Sequence, residues 1–304
     1  MLEKNRRMIV GKYKFIWMAA LLGVFILAGC SQGVLENLGK KTAAPITEEN
    51  IEVAAAAEND AEPDSEGGAG PERIDTSGWV TAESAVKLPI LMYHSISEGN
   101  NLRVRKEEFR LQMAWLRENG YQTLSPDEAF LVLSENRMPS EKCVWITFDD
   151  GYTDNYTEAF PILKEYDMKA TIFMIGKSIG KAHHLTEDQM AEMSANGISI
   201  ESHTINHLEL NRMTSGQQEA EMVQSKDLFD RILHQETTVL SYPVGRYNEE
   251  SLRLSEEAGY KMAVTTEPGG ATSEQGMHAL HRVRISPGLS AGGFANMIEN
   301  ASNH

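Results

Sequence analysis

Cysteine is nearly absent from this chain. Only Cys30 and Cys143 occur in 304 residues, so no disulfide framework can staple the fold. Basic residues are scarce as well: 28 Lys and Arg stand against 44 Asp and Glu, a net charge of −16. Such a surface repels phosphate backbones, which excludes nucleic acid as a partner. No internal repeat is present, which argues against a solenoid or propeller. Long apolar runs are also missing, apart from one near the N-terminus.

That run is the first thing the chain does contain. "MLEKNRRMIVGKYK" is a basic leader, and "FIWMAALLGVFILAGC" is an apolar stretch ending in small residues. It is short for a membrane span and suits the core of an export signal. Its last four residues, Leu27 to Cys30, resemble the bacterial lipobox. The resemblance implies a signal peptide over 1–29, cleavage before Cys30, and lipidation of its thiol and new amine. The protein is then tethered to the outer face of the bacterial cytoplasmic membrane. The alternative is a plain membrane anchor with Cys30 incidental. Residues 30–78 read as an acidic linker: from 31 to 78 there are three basic and eleven acidic residues, with few large apolar groups. Such a segment cannot offset its ordering entropy by burial. A coil of roughly 48 residues spans about 40 Å, with an upper limit of about 160 Å.

From about Trp79 to residue 304 the pattern becomes alternating strands and helices, one catalytic-sized domain. "LPILMYHSI", "CVWITF", "KATIFMIG", "ISIES", "TTVLSYP", "YKMAVTT" and "LHRVRIS" read as strands, with a short "YQTLS" between the first two helices. "KEEFRLQMAWLRENG" has Phe109, Met113 and Leu116 on one face and stops at Gly120. "SPDEAFLVLSEN" has Ser125 as N-cap and Pro126 in its first turn. "YTEAFPILKEY" reads as a helix that Pro161 interrupts. Cys143 falls inside an apolar strand and reads as a small core residue. Strict alternation predicts an α/β fold with a parallel sheet, open or closed into a barrel.

In such folds functional groups gather at the carboxyl ends of strands. Four ends are informative here. "CVWITF" runs into Asp149-Asp150, and "ISIES" into His203, with His207 four residues on. "TTVLSYP" runs into Pro243-Val244-Gly245, and "PILMY" into His94. Adjacent aspartates on an extended chain point in different directions. One is free to hold a cation while the other works alone. Two histidines and one carboxylate with open positions form a ligand set for zinc or a non-haem metal. An Asp-Asp-Gly is often only a turn, and paired histidines occur by chance. Their joint placement at successive strand ends is what points to chemistry.

"TFDDGYTDNY" and "SHTINH" resemble the first two motifs of the polysaccharide deacetylase family, carbohydrate esterase family 4 with the NodB-homology domain. The likeness runs from about Leu88 to Ile285 and is closest to the poly-N-acetylglucosamine deacetylase branch. It implies a distorted (β/α) barrel of about seven parallel strands. By this resemblance Asp149 is the catalytic base, Asp150, His203 and His207 hold a divalent metal (Zn2+, with Co2+ or Ni2+ as alternatives), and the Val244 N–H is an oxyanion donor. Two departures stand out. The usual base-orienting arginine of the third motif is Ser241 here; Arg246 or Arg282 could supply that charge from elsewhere, and the sequence does not say which residue, if any, does. Neither His278 nor His281 closes a C-terminal strand as the family's acid does. "PILMYH" does, which implies a circular permutation with the His94 strand first and His94, rather than His281, as the acid. The implied reaction is hydrolysis of N-acetyl groups from an N-acetylglucosamine-containing polysaccharide by a monomer. An O-acetyl esterase on an acetylated glycan and a non-catalytic glycan-binding envelope lipoprotein are the alternatives. Tyr93, Tyr152, Trp145 and Tyr247 lie near the motifs, and Trp145, inside a strand, reads as core.

Overall fold

The computed structural model describes residues 74–302. The expected signal peptide, the lipidated Cys30 and nearly all of the expected linker lie outside the described residues. Among those described, no helix is long and apolar enough to cross a membrane.

Among the described residues there are ten strands: β1 (Val80–Thr81), β2 (Ile90–Tyr93), β3 (Gln122–Thr123), β4 (Arg137–Met138), β5 (Cys143–Asp150), β6 (Ala170–Met174), β7 (Ile198–Ser202), β8 (Val239–Ser241), β9 (Met262–Pro268) and β10 (Leu280–Arg284). Seven of them form a closed parallel ring in the order β2-β10-β9-β8-β7-β6-β5, because β2 also pairs with β5. This is a distorted (β/α) barrel. The first barrel strand sits between the last one and β5, which closes the ring. β3 adds to β5 below β2, and β1 pairs with β4 as a separate antiparallel patch. The distortion has two visible sources. β7 and β8 share a single residue pair, Ser202 with Leu240. The β9–β10 ladder shifts register between Leu280 and Arg282.

Helices α1 (Lys106–Glu118), α2 (Pro126–Glu135), α3 (Phe160–Glu165), α4 (Glu187–Ser194), α5 (Ser215–Leu233), α6 (Glu249–Glu257) and α7 (Ala291–Asn300) alternate with the strands. Their starts are chemically marked. Ser125 and Thr186 each close a capping box on α2 and α4. Pro161 does mark an interruption: Thr153 and Asp154 are α-helical, the α pattern then gives way to a five-residue π-helical stretch, Asn155–Ala159, and Pro161 sits in the first turn of α3 directly after it.

Strand alternation sorts the core into two layers. Leu91, Tyr93, Val144, Ile146 and Phe148 face outward and pack under Phe109, Met113, Leu116 and Phe294 of the helices. Ile90, Trp145, Val239, Met262 and Leu280 face into the barrel. Each such side chain, fully buried, contributes roughly 1.5–3 kcal/mol. The same alternation has a consequence at the rim. His94 shares a face with Ile90, Asp149 with Trp145, Ser241 with Val239, and Arg282 with Leu280. The barrel interior is therefore apolar below and polar at its carboxyl end.

Candidate active site

The polar layer is built around one ion pair. Arg282 is fully buried and spends all five of its N–H donors. Nη1 donates to Asp149 Oδ1 at 2.8 Å and Nη2 to Asp149 Oδ2 at 2.7 Å, a bidentate fork. The remaining donors go to Thr147 Oγ1 at 3.3 Å, Ser241 Oγ at 3.1 Å and the Thr265 carbonyl at 2.7 Å. The guanidinium also lies over the Phe173 ring, 5.8 Å from its centroid. Arg282 sits at the register shift of β10, where Thr265 of the irregular β9 offers it a carbonyl. Arg246, the other sequence candidate, is exposed. Ser241 does not replace the missing arginine but joins its network, donating to Asp149 Oδ1 at 3.3 Å. Burial pushes the Asp149 carboxyl up, but Arg282, His203 and His94 outweigh it and hold the group well below the usual carboxylate range.

Asp150 turns the other way. Its φ is +76°, and Gly151 follows at +72°. A Cβ on Gly151 would come within 2.0 Å of the Met174 sulfur, so only glycine fits this corner. The left-handed Asp150 is strain of the kind that persists at functional sites. Its Oδ1 faces His203 Nε2 at 3.6 Å and His207 Nε2 at 3.5 Å. His203 Nδ1 lies 2.7 Å from the Ser241 carbonyl. A carbonyl only accepts, so Nδ1 carries the proton and Nε2 presents its lone pair. Burial, partly opposed by Asp149, pushes the His203 imidazole down to about 4, which keeps it neutral at pH 7. His207 is carried by a tight loop in which Thr204 and His207 both have positive φ. That loop is tied down by Glu221 of α5, which accepts the Asn206 N–H at 2.8 Å. One ligand atom from each of Asp150, His203 and His207 lies within 4.8 Å of the others. A carboxylate oxygen and two imidazole nitrogens converging in this way fit a divalent cation, and a half-open His207 side leaves room for further ligands.

His94 and Val244 complete the rim. The parallel ladder pairs Tyr93 with Phe148, so the next step sets His94 beside Asp149. Burial pushes the His94 imidazole down to about 4, with Asp149 pulling the other way. His281 shares the outward face of β10 with Val283 and lies off the polar layer. His278 is elsewhere, with Nδ1 2.8 Å from Ser255 Oγ. Val244 sits at φ +57° in the turn after β8, followed by Gly245, whose Cβ would strike Thr266. Among the described residues no acceptor takes the Val244 N–H, while Gly245 and Arg246 bond back to Tyr242 and Pro243.

The polysaccharide deacetylase family profile matches residues 136–263, which include Asp149, Asp150, His203, His207 and Val244. The Bacillus subtilis protein YxkH, whose name places it among polysaccharide deacetylases, is 66% identical over 226 residues, 74% of this chain and 81% of its own. The chain belongs to the polysaccharide deacetylase family. A Streptococcus pyogenes deacetylase, PplD, solved with acetate, is 40% identical, superposes with a TM-score of 0.69, and covers 71% of this chain and 99% of its own. The poly-beta-1,6-N-acetyl-D-glucosamine N-deacetylase of Staphylococcus epidermidis is 27% identical over 203 residues, 62% of this chain and 70% of its own.

For a polysaccharide deacetylase the aromatics around the motifs divide plainly. Tyr93 and Trp145 are fully buried, so neither lines a groove. Tyr93 donates to Gln112 and Trp145 to Thr171. Tyr152 and Tyr247 are partly exposed, stacked on His184 and Tyr242. The Ser241 contacts could not be read from the sequence. A serine in place of an expected arginine marks a gap but does not name what fills it.

Proposed function

We propose that this polysaccharide deacetylase removes N-acetyl groups from an N-acetylglucosamine-containing polysaccharide, such as poly-N-acetylglucosamine, peptidoglycan or a chitin-like chain, with a divalent cation held by Asp150, His203 and His207. The observation that carries the proposal is the pairing of two carboxylates with opposite environments. Asp150 faces two imidazoles, while Asp149 faces a guanidinium. A bound cation, Zn2+ being the best match to this ligand set, would supply Lewis acidity to the water and to the acetyl carbonyl.

The chain's own groups do the rest. Asp149 is anionic at any working pH, and its Oδ2, bonded only by Arg282, retains a lone pair, whereas Oδ1 also accepts from Ser241. It takes the water proton as general base. The Val244 N–H donates to the oxygen that becomes negative as the acetyl carbon turns tetrahedral; one such donor is worth roughly 3 kcal/mol. His94 hands a proton to the leaving amine. Burial keeps the resting His94 imidazole neutral at pH 7, so it takes up that proton in the course of the reaction.

The test is acetate release from a panel of N- and O-acetylated glycans, with and without chelator. N-acetyl hydrolysis that a chelator abolishes and Zn2+ restores is the expected result. Release from O-acetyl substrates alone would make the chain an esterase, and no release from any would leave a binding protein. The N-terminal residues support a companion proposal, anchorage through lipidated Cys30. Cys30→Ala is expected to shift the protein from the membrane pellet to the medium; an unchanged pellet fraction would rule the lipid anchor out.

A further inference from the structure

We propose that Asp154 and Asn155, at the tail of the "DDGYTDN" stretch, are positioning residues that hold His94 against the reacting groups. The inference rests on the reading of His94 as proton donor.

His94 has no hydrogen bond on its ring among the described residues, and the strand that carries it ends at Tyr93. Beyond it the chain enters a loop with exposed residues from Glu98 to Asn101. Nothing at the imidazole itself therefore fixes where it points. The backbone on either side is fixed instead. Asn155 Nδ2 donates to the His94 carbonyl at 2.7 Å. Asp154 grips the next two residues: Ser95 Oγ donates to Oδ2 at 2.5 Å and the Ile96 N–H to Oδ1 at 2.9 Å. Ser95 closes the loop's neck, because its N–H bonds to the Leu102 carbonyl and its own carbonyl accepts from Val104.

The clamp is built into the same segment as the carboxylates. Asp149 and Asp150 end β5, the chain turns at Gly151, and Asn155 opens the π-helical turn Asn155–Ala159. Single π turns of this kind recur at functional sites. Asn155 is fully buried, with Oδ1 left without a partner, while Gln112 Nε2 of α1 is a buried donor without one. A buried amide whose only protein partner beyond its own neighbour is the His94 carbonyl is costly to keep for packing alone. One segment thus sets base, cation ligand and the backbone under the acid, so their spacing does not depend on the outer loop.

The experiment compares two substrates with one purified full-length protein and its variants. Cleaving an amide requires a proton on a poor leaving amine, whereas 4-nitrophenyl acetate expels a stable phenolate without help. Asn155→Ala and Asp154→Ala are expected to lose about 100-fold in kcat on the N-acetylated glycan, the scale of a misplaced catalytic group. KM, zinc content and turnover of 4-nitrophenyl acetate should stay within about threefold. Asp154→Asn, which retains an acceptor for the Ile96 N–H, should fall between Asp154→Ala and the parent. Equal losses on both substrates, or none on the glycan, would overturn the inference. If Asn155→Ala fails to fold, Ser95→Ala removes one strut of the clamp from the other end and is read the same way. His94→Ala is run in parallel. If it shows no amide-selective loss, the reading of His94 has failed; if it does and the clamp variants do not, this inference alone has failed.

Discussion

Asp149→Asn is expected to keep its metal and lose nearly all deacetylation, by about a thousandfold or more. The scale follows from removing a general base, typically 10²–10⁴ in rate. The metal survives because Asp149 is not in the ligand set; its oxygens are turned to Arg282 and Ser241. Asp150→Ala and His203→Ala should lose metal and activity together. Metal analysis of the purified variants beside acetate release separates the two classes. Equal occupancy and equal activity in all three would remove the division of labour between the two aspartates. The asparagine also leaves the Arg282 charge without its counter-ion in a site with no exposure, so the variant should be less stable and is best assayed well below its melting temperature.

Arg282→Met is expected to destabilise the domain by about 3–5 kcal/mol, the usual cost of breaking a buried pair from one side. The carboxylate would remain, fully desolvated, with Ser241 as its main donor. The double variant Asp149→Asn with Arg282→Met should recover much of that loss, because neither charge is then stranded. Chemical denaturation of the parent, both singles and the double closes the cycle. A single Arg282→Met within about 1 kcal/mol of the parent would mean the fork contributes little. The pH dependence has a definite sign. Asp149 has a depressed folded pKa, so its contribution is present above the unfolded value of about 4 and is lost as pH falls toward the folded value. In Arg282→Met burial acts on the carboxyl without that opposing charge, so the folded pKa rises toward the unfolded one and this acid-side loss should shrink.

These two results probe a contact that the sequence only bracketed. "TFDDG" and "SHTINH" announce themselves because each places its chemistry within a few residues, where strand alternation and one tight loop decide direction. The helices were legible for the same reason: Phe109, Met113 and Leu116 repeat at helical spacing and are buried. Pro161 marked where the helix is interrupted, but not the π turn before it, because a π turn has no periodic signature distinct from an α-helix over five residues. Tyr93 lies next to His94 in the sequence, yet one step along a strand reverses the face, and its ring packs on Phe109 and Phe148.

By itself the sequence determined the α/β alternation, the two motif carboxylates with their histidine couple, and the strand on which the acid candidate sits. Each is a matter of short-range chemistry and of a period of two or 3.6 residues. Only the tertiary structure decided that Arg282, 133 residues from Asp149, supplies the missing guanidinium, and that Asn155 and Asp154 grip the backbone around His94. Those contacts form when the ring closes between β10, β2 and β5, and closure is set by strand register and a bulge in β9–β10. Register depends on the packing of every strand at once, so no local window of residues carries it.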